Sequence, residues 1–130
     1  MACGGLKFVD NKANEEINSE IHTDRVVEAA IEFMKYVKEN PYTAGKYFVL
    51  KIGVHYGNCI FGVLGYHKPQ FSLIGDTVNT TSRHCTTGTD DTINISAAAW
   101  EQVRYLKKYL VQVHKFNPEK SRIYEREGRC

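Results

Sequence analysis

Two apolar runs, rich in β-branched and aromatic residues, constrain the fold of this 130-residue sequence more than any other feature. They occupy residues 47–56 and 59–64, and only Gly57 and Asn58 separate them. A short Gly-Asn break between two such runs is a strong signal for a tight β-hairpin. We therefore expect the two runs to be neighbouring strands of an antiparallel sheet.

Residues 13–40 have the pattern of an amphipathic helix. Apolar residues recur every three to four positions, and charged residues fill the other face. Acidic residues are concentrated at the start and lysines at the end, and Asn40-Pro41 ends the helix. A flank formed by Val26, Phe33 and Tyr36 is interpreted as part of a broad core face, with a groove for a partner as the alternative.

Shorter elements follow in the second half of the chain. The patterns predict strands at residues 71–74 and 92–95, a helix capped by Asp76 or Thr77 and closed by Gly88, a helix capped by Ser96, and an antiparallel pair at residues 109–115 and 122–126. Strands and helices do not alternate strictly. We therefore expect one α+β domain at residues 1–130, a sandwich with helices packed on a mostly antiparallel sheet.

Composition excludes several classes of protein. With 17 Lys+Arg against 15 Asp+Glu and no block of like charge, nucleic acid is not expected as a partner. The four cysteines lie far apart and form no CxxC pair, which favours reduced thiols in a cytosolic compartment over zinc or disulfides. No apolar run approaches the roughly 20 residues that cross a bilayer. Residues 1–6 are small and apolar, like the second half of a buried hairpin, so we expect a fragment.

The stretch FSLIGDTVNTTSR, residues 71–83, carries the candidate chemistry. Asn79 and Arg83 are four residues apart on a predicted helix, so they share a face near its N-terminus, where free N–H groups favour anions. Arg83 offers a permanently charged fork for phosphate oxygens, and Asn79 can donate to and accept from a ribose. From these residues alone, a phosphate-ester site and an ordinary solvated surface helix both remain open.

The same stretch resembles the GDTVN-x-x-SR signature of class III nucleotidyl cyclases, the adenylate and guanylate cyclases. KIGVHYG at residues 51–57, GVLG at 62–65, Thr87-Gly88 and INIS at 93–96 follow the order and near-spacing of further motifs of that family. The resemblance covers residues 1–96. The run from Tyr66 to Arg83 is most similar to the cyclase domains of large membrane guanylate cyclases of protists. It implies a ferredoxin-like-derived cyclase sandwich that lacks its first strands.

In this family two cyclase domains pair head to tail, with active sites at their interface. The resemblance implies that Asn79 orients the ribose and that Arg83 stabilises the transition state as the 3′-hydroxyl attacks the α-phosphate of GTP or ATP. The two aspartates that hold Mg²⁺ or Mn²⁺ in the family would lie upstream of this sequence. The resemblance therefore implies no metal ligand in this chain, and a partner domain, in a homodimer or pseudo-heterodimer, that supplies the ions.

Ser72 and Leu73 match the purine-reading positions of the family, Ser72 with its hydroxyl and Leu73 with its backbone. Adenylate cyclases commonly have Asp or Thr at the position of Ser72 and guanylate cyclases have Cys, so Ser72 does not choose between ATP and GTP. Similarity to the protist enzymes favours GTP. Lys115, with Lys120 as a second candidate, lies where the family grips the triphosphate, and His55 is given a packing role instead of that of a general base.

The resemblance therefore predicts the substrate-recognition half of a guanylate cyclase, inactive alone, in the cytoplasmic domain of a membrane-anchored multidomain protein. One alternative is an adenylate cyclase domain. Another is a degenerate cyclase-like module that serves regulation or dimerisation. An unrelated phosphate-binding α+β domain would require the whole ordered motif series to be a coincidence.

Overall fold

The computed structural model of the chain describes residues 1–5, 19–106, 108–112 and 121–125. Three helices and six strands follow one another in these ranges: α1 Ser19–Glu39, β1 Lys51–Val54, β2 Ile60–Leu64, β3 Gln70–Ile74, α2 Asp76–Thr87, β4 Thr92–Ile95, α3 Ala97–Val103, β5 Tyr109–Gln112 and β6 Arg122–Glu125. A short 3₁₀ turn, Arg104–Leu106, follows α3. Within the ranges described, none of the helices combines the length and the apolar character that a membrane span requires.

The strands form two separate sheets. Four strands lie in the order β1-β4-β6-β5, and β2 and β3 form a two-stranded sheet of their own. β1 runs parallel to β4, and the other three strand pairs are antiparallel. The predicted α+β class with mostly antiparallel strand pairs is confirmed, as is the pairing of the last two strands.

The hairpin predicted at Gly57-Asn58 is wrong. β1 places Val54 opposite Ile95 of β4, and β2 places Ile60 opposite Ile74 of β3. Burial gives the physical reason, because Val54 is 3% exposed and Ile95 fully buried in the core, whereas Ile60 is 75% exposed. Pairing β1 with β4 removes more apolar surface from water than a hairpin with β2 would. Residues 55–59 therefore connect the two sheets.

Over Ser19–Glu39 the predicted amphipathic helix is present as α1, which packs on the four-stranded sheet and on α3. Residues 13–18 of the predicted helix lie outside the described residues. Its buried stripe comprises Val27, Ala30, Ile31 and Met34. Phe33 and Tyr36 are 59% and 64% exposed, so the interpretation of this flank as core is wrong for both of them. The reason is geometric: at 3.6 residues per turn they lie well outside the stripe that faces the sheet.

The two later helices begin in different ways. The Ser96 side chain accepts a hydrogen bond from the Ala99 backbone N at 3.2 Å, so the predicted cap of α3 is confirmed. α2 has Gly75 as its N-cap residue, with φ +143°, and no side chain caps it. The predicted Asp76 or Thr77 cap is therefore wrong, because both residues already lie inside the helix. Gly88 ends α2 in an extended conformation, with φ −64°.

Candidate active site

The C-terminal half of α2 packs directly on the sheet. A Cβ atom added at Gly53 of β1 would lie 2.4 Å from the backbone N of Cys85 and 2.8 Å from its Cα. The Cys85 thiol donates to the carbonyl O of Lys51 at 3.4 Å, and Nδ2 of the buried Asn94 donates to the carbonyl O of His84 at 2.8 Å. Helix backbone and strand backbone are thus in contact, which fixes the position of this half of α2.

The N-terminal end of α2 is attached to the connection between β1 and β2. Thr77 Oγ1 donates to the carbonyl O of Asn58 at 2.6 Å. The neighbouring Gly57 leaves room for this contact, because a Cβ there would lie 2.6 Å from Thr77 Oγ1. Thr81, one turn later, donates its hydroxyl to the carbonyl O of Thr77 at 2.7 Å.

Asn79 and Arg83 lie on the opposite side of α2 from these contacts. Both side chains are exposed, and their spacing puts the Cβ atoms about 5–6 Å apart. No acidic side chain in the described part of the chain forms an ion pair with Arg83. The predicted shared face is therefore confirmed, and the guanidinium is accessible to an anion.

Ser72 and Leu73 lie on β3, two to three residues before the turn into α2. Their side chains project to opposite faces of the two-stranded sheet, with Ser72 opposite Gly62 and Leu73 opposite Phe61. A ligand on the Ser72 face would therefore meet the Ser72 side chain and only the backbone of Leu73. Ser72 and Arg83 thus belong to one continuous strand–turn–helix unit.

A cleft of about 600 Å³ is lined in part by residues of β1, the end strand of the four-stranded sheet. Its walls include residues from α1, from α2 and from the start of the chain, among them Gly4, Val26, His55, Leu73, Thr77 and Thr81. Asn79 and Arg83 are not among its lining residues. The cleft and the predicted catalytic pair therefore lie on different sides of α2.

Two of the sequence predictions concern the triphosphate and the metal ions. Lys115 and the second candidate, Lys120, lie outside the described residues. Over residues 1–5, 19–106, 108–112 and 121–125, no group of three or more His, Cys, Asp or Glu side chains is placed to hold a metal ion. Those ranges therefore offer no protein cage of three or more such ligands for Mg²⁺ or Mn²⁺.

His55 has the packing environment predicted for it. Its Nδ1 is 2.8 Å from Ser96 Oγ, and its ring stacks on that of His84 with centroids 5.9 Å apart. It therefore links the end of β1 to α2 and to the start of α3. Burial, followed by the neighbouring His84, lowers the pKa of His55 below its usual value, and Asp76 partly opposes this shift.

Acidification is expected to destabilise the fold through His55. Because the folded-state pKa lies below the ordinary value of 6.5, the unfolded chain binds the proton first. Stability that is fully present above that value is then lost as the pH falls through the folded pKa. Urea unfolding above and below this window should show a smaller loss of unfolding free energy for His55→Gln than for the parent chain.

The exposed His67, between β2 and β3, provides the matched control. His67→Gln should retain the acid sensitivity of the parent chain. If His55→Gln loses as much stability on acidification as the parent does, His55 is not the responsible group.

Sequence reasoning missed the contacts that hold α2 in place. Thr77 and Asn58 are 19 residues apart. The sequence assigned Asn58 to a hairpin turn and Thr77 to the start of a helix, so it gave no reason to expect a contact between them. The available signal was Gly57, a glycine that leaves space for the side chain of Thr77. This signal has no fixed spacing, so it could be found only after the fold was known.

Comparisons of the sequence and of the structure with known proteins both lead to nucleotide cyclases. The model of the adenylate and guanylate cyclase catalytic domain matches residues 1–126. A receptor-type guanylate cyclase, gcy-19, of Caenorhabditis briggsae is 39% identical over 85 residues, which are 64% of this chain and 7% of that protein. Guanylate cyclase alpha of Plasmodium falciparum is 53% identical over 55 residues, 42% of this chain and 1% of that protein.

A solved structure agrees with these matches. The guanylate cyclase domain of RhGC from Catenaria anguillulae, in complex with GTP, superposes with a TM-score of 0.73 at 28% identity. The match covers 88% of this chain and 65% of that one. The chain thus spans about two thirds of the solved domain and a small part of the curated relatives. By its sequence and its fold, this chain belongs to the family of adenylate and guanylate cyclase catalytic domains.

Proposed function

We propose that this chain is the substrate-recognition half of a guanylate cyclase, in which Asn79 orients the ribose and Arg83 stabilises the transition state. The observation that carries the proposal is the exposed Asn79 and Arg83 pair on one face of α2. The opposite face of that helix is attached to the sheet through Gly53 and to the β1–β2 connection through Thr77. A fixed helix can present both side chains to a nucleotide in a defined geometry.

In the proposed reaction the ribose 3′-oxygen attacks the α-phosphorus of GTP. A new O3′–P bond forms, the bond from that phosphorus to the oxygen that bridges the α- and β-phosphates breaks, and the hydroxyl proton is released. Cyclic GMP and pyrophosphate are the products. Negative charge grows on the phosphate oxygens during this step, and a guanidinium that donates two parallel hydrogen bonds stabilises it. Asn79 keeps the 3′-oxygen in line with the leaving oxygen.

The choice of GTP rests on the relatives. The nematode and Plasmodium relatives are named guanylate cyclases, and the solved domain from Catenaria anguillulae is in complex with GTP. The Ser72 hydroxyl can both donate and accept, so it accommodates either purine. ATP as the substrate is therefore the alternative, and a product assay distinguishes the two.

A second cyclase domain is the proposed partner, in a homodimer or a pseudo-heterodimer. The face of the two-stranded sheet that carries Ser72 also carries Ile60, Leu64 and Ile74, which are 75%, 48% and 48% exposed. Such an apolar face beside the proposed purine position favours an interface at which a partner completes the site. The partner would bring the carboxylates for Mg²⁺ or Mn²⁺, since the described residues offer no such cluster.

The names of the relatives also bear on where the domain resides. The Caenorhabditis briggsae protein is named a receptor-type guanylate cyclase, and this chain matches 7% of it. We propose that the domain is the cytoplasmic part of a membrane-anchored multidomain protein. We also propose that Lys115 contacts the triphosphate, with Lys120 as the alternative.

The test is reconstitution with a complementary cyclase domain that carries the metal-binding aspartates. The chain and the partner are mixed, pairing is verified, GTP or ATP is added with Mn²⁺, and both cyclic nucleotides are measured. We expect little product from the chain alone and more cyclic GMP than cyclic AMP from the mixture. An excess of cyclic AMP would support the adenylate cyclase alternative, and no product despite verified pairing would support a regulatory or dimerisation module.

A further inference from the structure

We propose that Thr77 is a positioning residue for Asn79, and that the carbonyl of Asn58 is the group to which it is attached. The inference rests on the proposed function, because it assigns a second role within the same helix. Thr77 does not itself face the nucleotide. Its side chain lines the cleft beside β1, on the opposite side of α2 from Asn79 and Arg83.

The contact has the features of a specific attachment. Thr77 Oγ1 donates to Asn58 O over 2.6 Å, a short distance for a neutral hydroxyl donor. Gly57 is required for space, because any Cβ there would come within 2.6 Å of the same Oγ1 and 3.4 Å of His55 Nε2. The first turn of α2 and the β1–β2 connection are therefore in close contact through Thr77, Asn58 and Gly57.

The start of α2 depends on this contact more than a typical helix start would. Gly75 serves as its N-cap with φ +143°, and it offers no side chain to accept from the free N–H groups of the first turn. Among the described residues, the hydroxyl of Thr77 thus provides the side-chain hydrogen bond that joins this turn to another element. Without it, the first turn can move relative to the sheet.

The two halves of α2 should respond differently to the loss of this bond. Arg83 lies next to His84 and Cys85, where the helix touches β1 at Gly53 and accepts from Asn94. Asn79 lies two residues after Thr77, within the turn that the Thr77 contact holds. Loss of the Thr77 hydroxyl is therefore expected to displace Asn79 while Arg83 stays in place.

The experiment compares Thr77→Val and Thr77→Ser in the reconstituted cyclase, with GTP and Mn²⁺. Valine keeps the shape and removes the donor, and we expect kcat to fall about tenfold, with a much smaller change in KM for GTP. Serine keeps the hydroxyl and should restore kcat. Thr89→Val is the matched control, because the exposed Thr89 hydroxyl hydrogen-bonds to Thr92 Oγ1 outside α2, and it should leave kcat unchanged.

A double-mutant cycle tests which residue Thr77 positions. In an Asn79→Ala background, Thr77→Val should lower kcat by less than about twofold further, because the group that it positions is already absent. A full additional tenfold loss would overturn the assignment to Asn79. If Thr77→Val does not fold, Gly57→Ala tests the same contact from the other side, since its Cβ would displace the hydroxyl, and it should give the same loss of kcat.

Amide hydrogen exchange separates this inference from the proposed function. Thr77→Val should speed exchange in residues 78–80 and leave residues 83–86 unchanged, whatever reaction the domain catalyses. If Arg83→Ala retains full activity while the exchange pattern appears as expected, the proposed function is wrong and the attachment stands. If Arg83→Ala abolishes activity while Thr77→Val changes neither kcat nor exchange, the positioning role is wrong.

Discussion

Replacing Arg83 with alanine should reduce kcat of the reconstituted cyclase by at least about 100-fold, the usual cost of removing one donor to a developing charge. The side chain is exposed on α2 and has no acidic partner among the described residues, so its charge is available to the reacting phosphate. KM for GTP should change less, because the charge that Arg83 stabilises grows in the transition state. Initial rates of cyclic GMP formation over a range of GTP concentrations separate the two effects.

Two further variants show whether the geometry of the guanidinium matters. Arg83→Lys keeps the positive charge but loses the planar fork, so its kcat should lie between those of the parent and Arg83→Ala. Arg104→Ala is the matched control, because Arg104 is also exposed and bonds to Glu101 and Tyr105 away from α2. It should leave cyclic GMP formation unchanged. If Arg83→Ala keeps a rate within about twofold of the parent, Arg83 does not stabilise the transition state.

The helices and the later strands could be predicted because their signals are local. α1 shows its 3.6-residue apolar period, Ser96 precedes three helix-forming alanines, and the last two strands are consecutive in the chain. Each of these patterns lies within a few residues of the element that it specifies. The shared face of Asn79 and Arg83 follows from the same local geometry, which is why it was predicted from spacing alone.

The partners of β1 could not be predicted, because they depend on burial across the whole chain. Gly57-Asn58 is a good local turn signal, yet Val54 pairs with Ile95, 41 residues later, in the core. The same limit applies to the attachment of α2. Asn58 accepts from Thr77 only because the connection between the two sheets passes the start of that helix. Gly57-Asn58 is therefore a point of close contact, but its partner is Thr77 of α2 and not a hairpin between β1 and β2.

The close contact at Gly53 makes its replacement the most destabilising change that we predict. In Gly53→Ala the new methyl group would lie 2.4 Å from the backbone N of Cys85 and 2.8 Å from the carbonyl carbon of His84. Backbone atoms of a helix cannot rotate away as a flexible side chain can, so α2 must move off the sheet. We expect the free energy of unfolding to fall by about 3 kcal/mol or more, the upper part of the range for overpacking.

Gly62→Ala is the matched control for Gly53→Ala. Gly62 also lies in a strand, β2, and a Cβ there would meet nothing within 4 Å, so its unfolding free energy should stay close to that of the parent. Urea unfolding of the three chains under the same conditions gives the comparison. A loss of less than about 1 kcal/mol for Gly53→Ala would mean that α2 can shift on β1 at little cost. In that case the helix would not hold Arg83 in a fixed position, and the different responses expected of Asn79 and Arg83 to the loss of the Thr77 hydroxyl would have no structural basis.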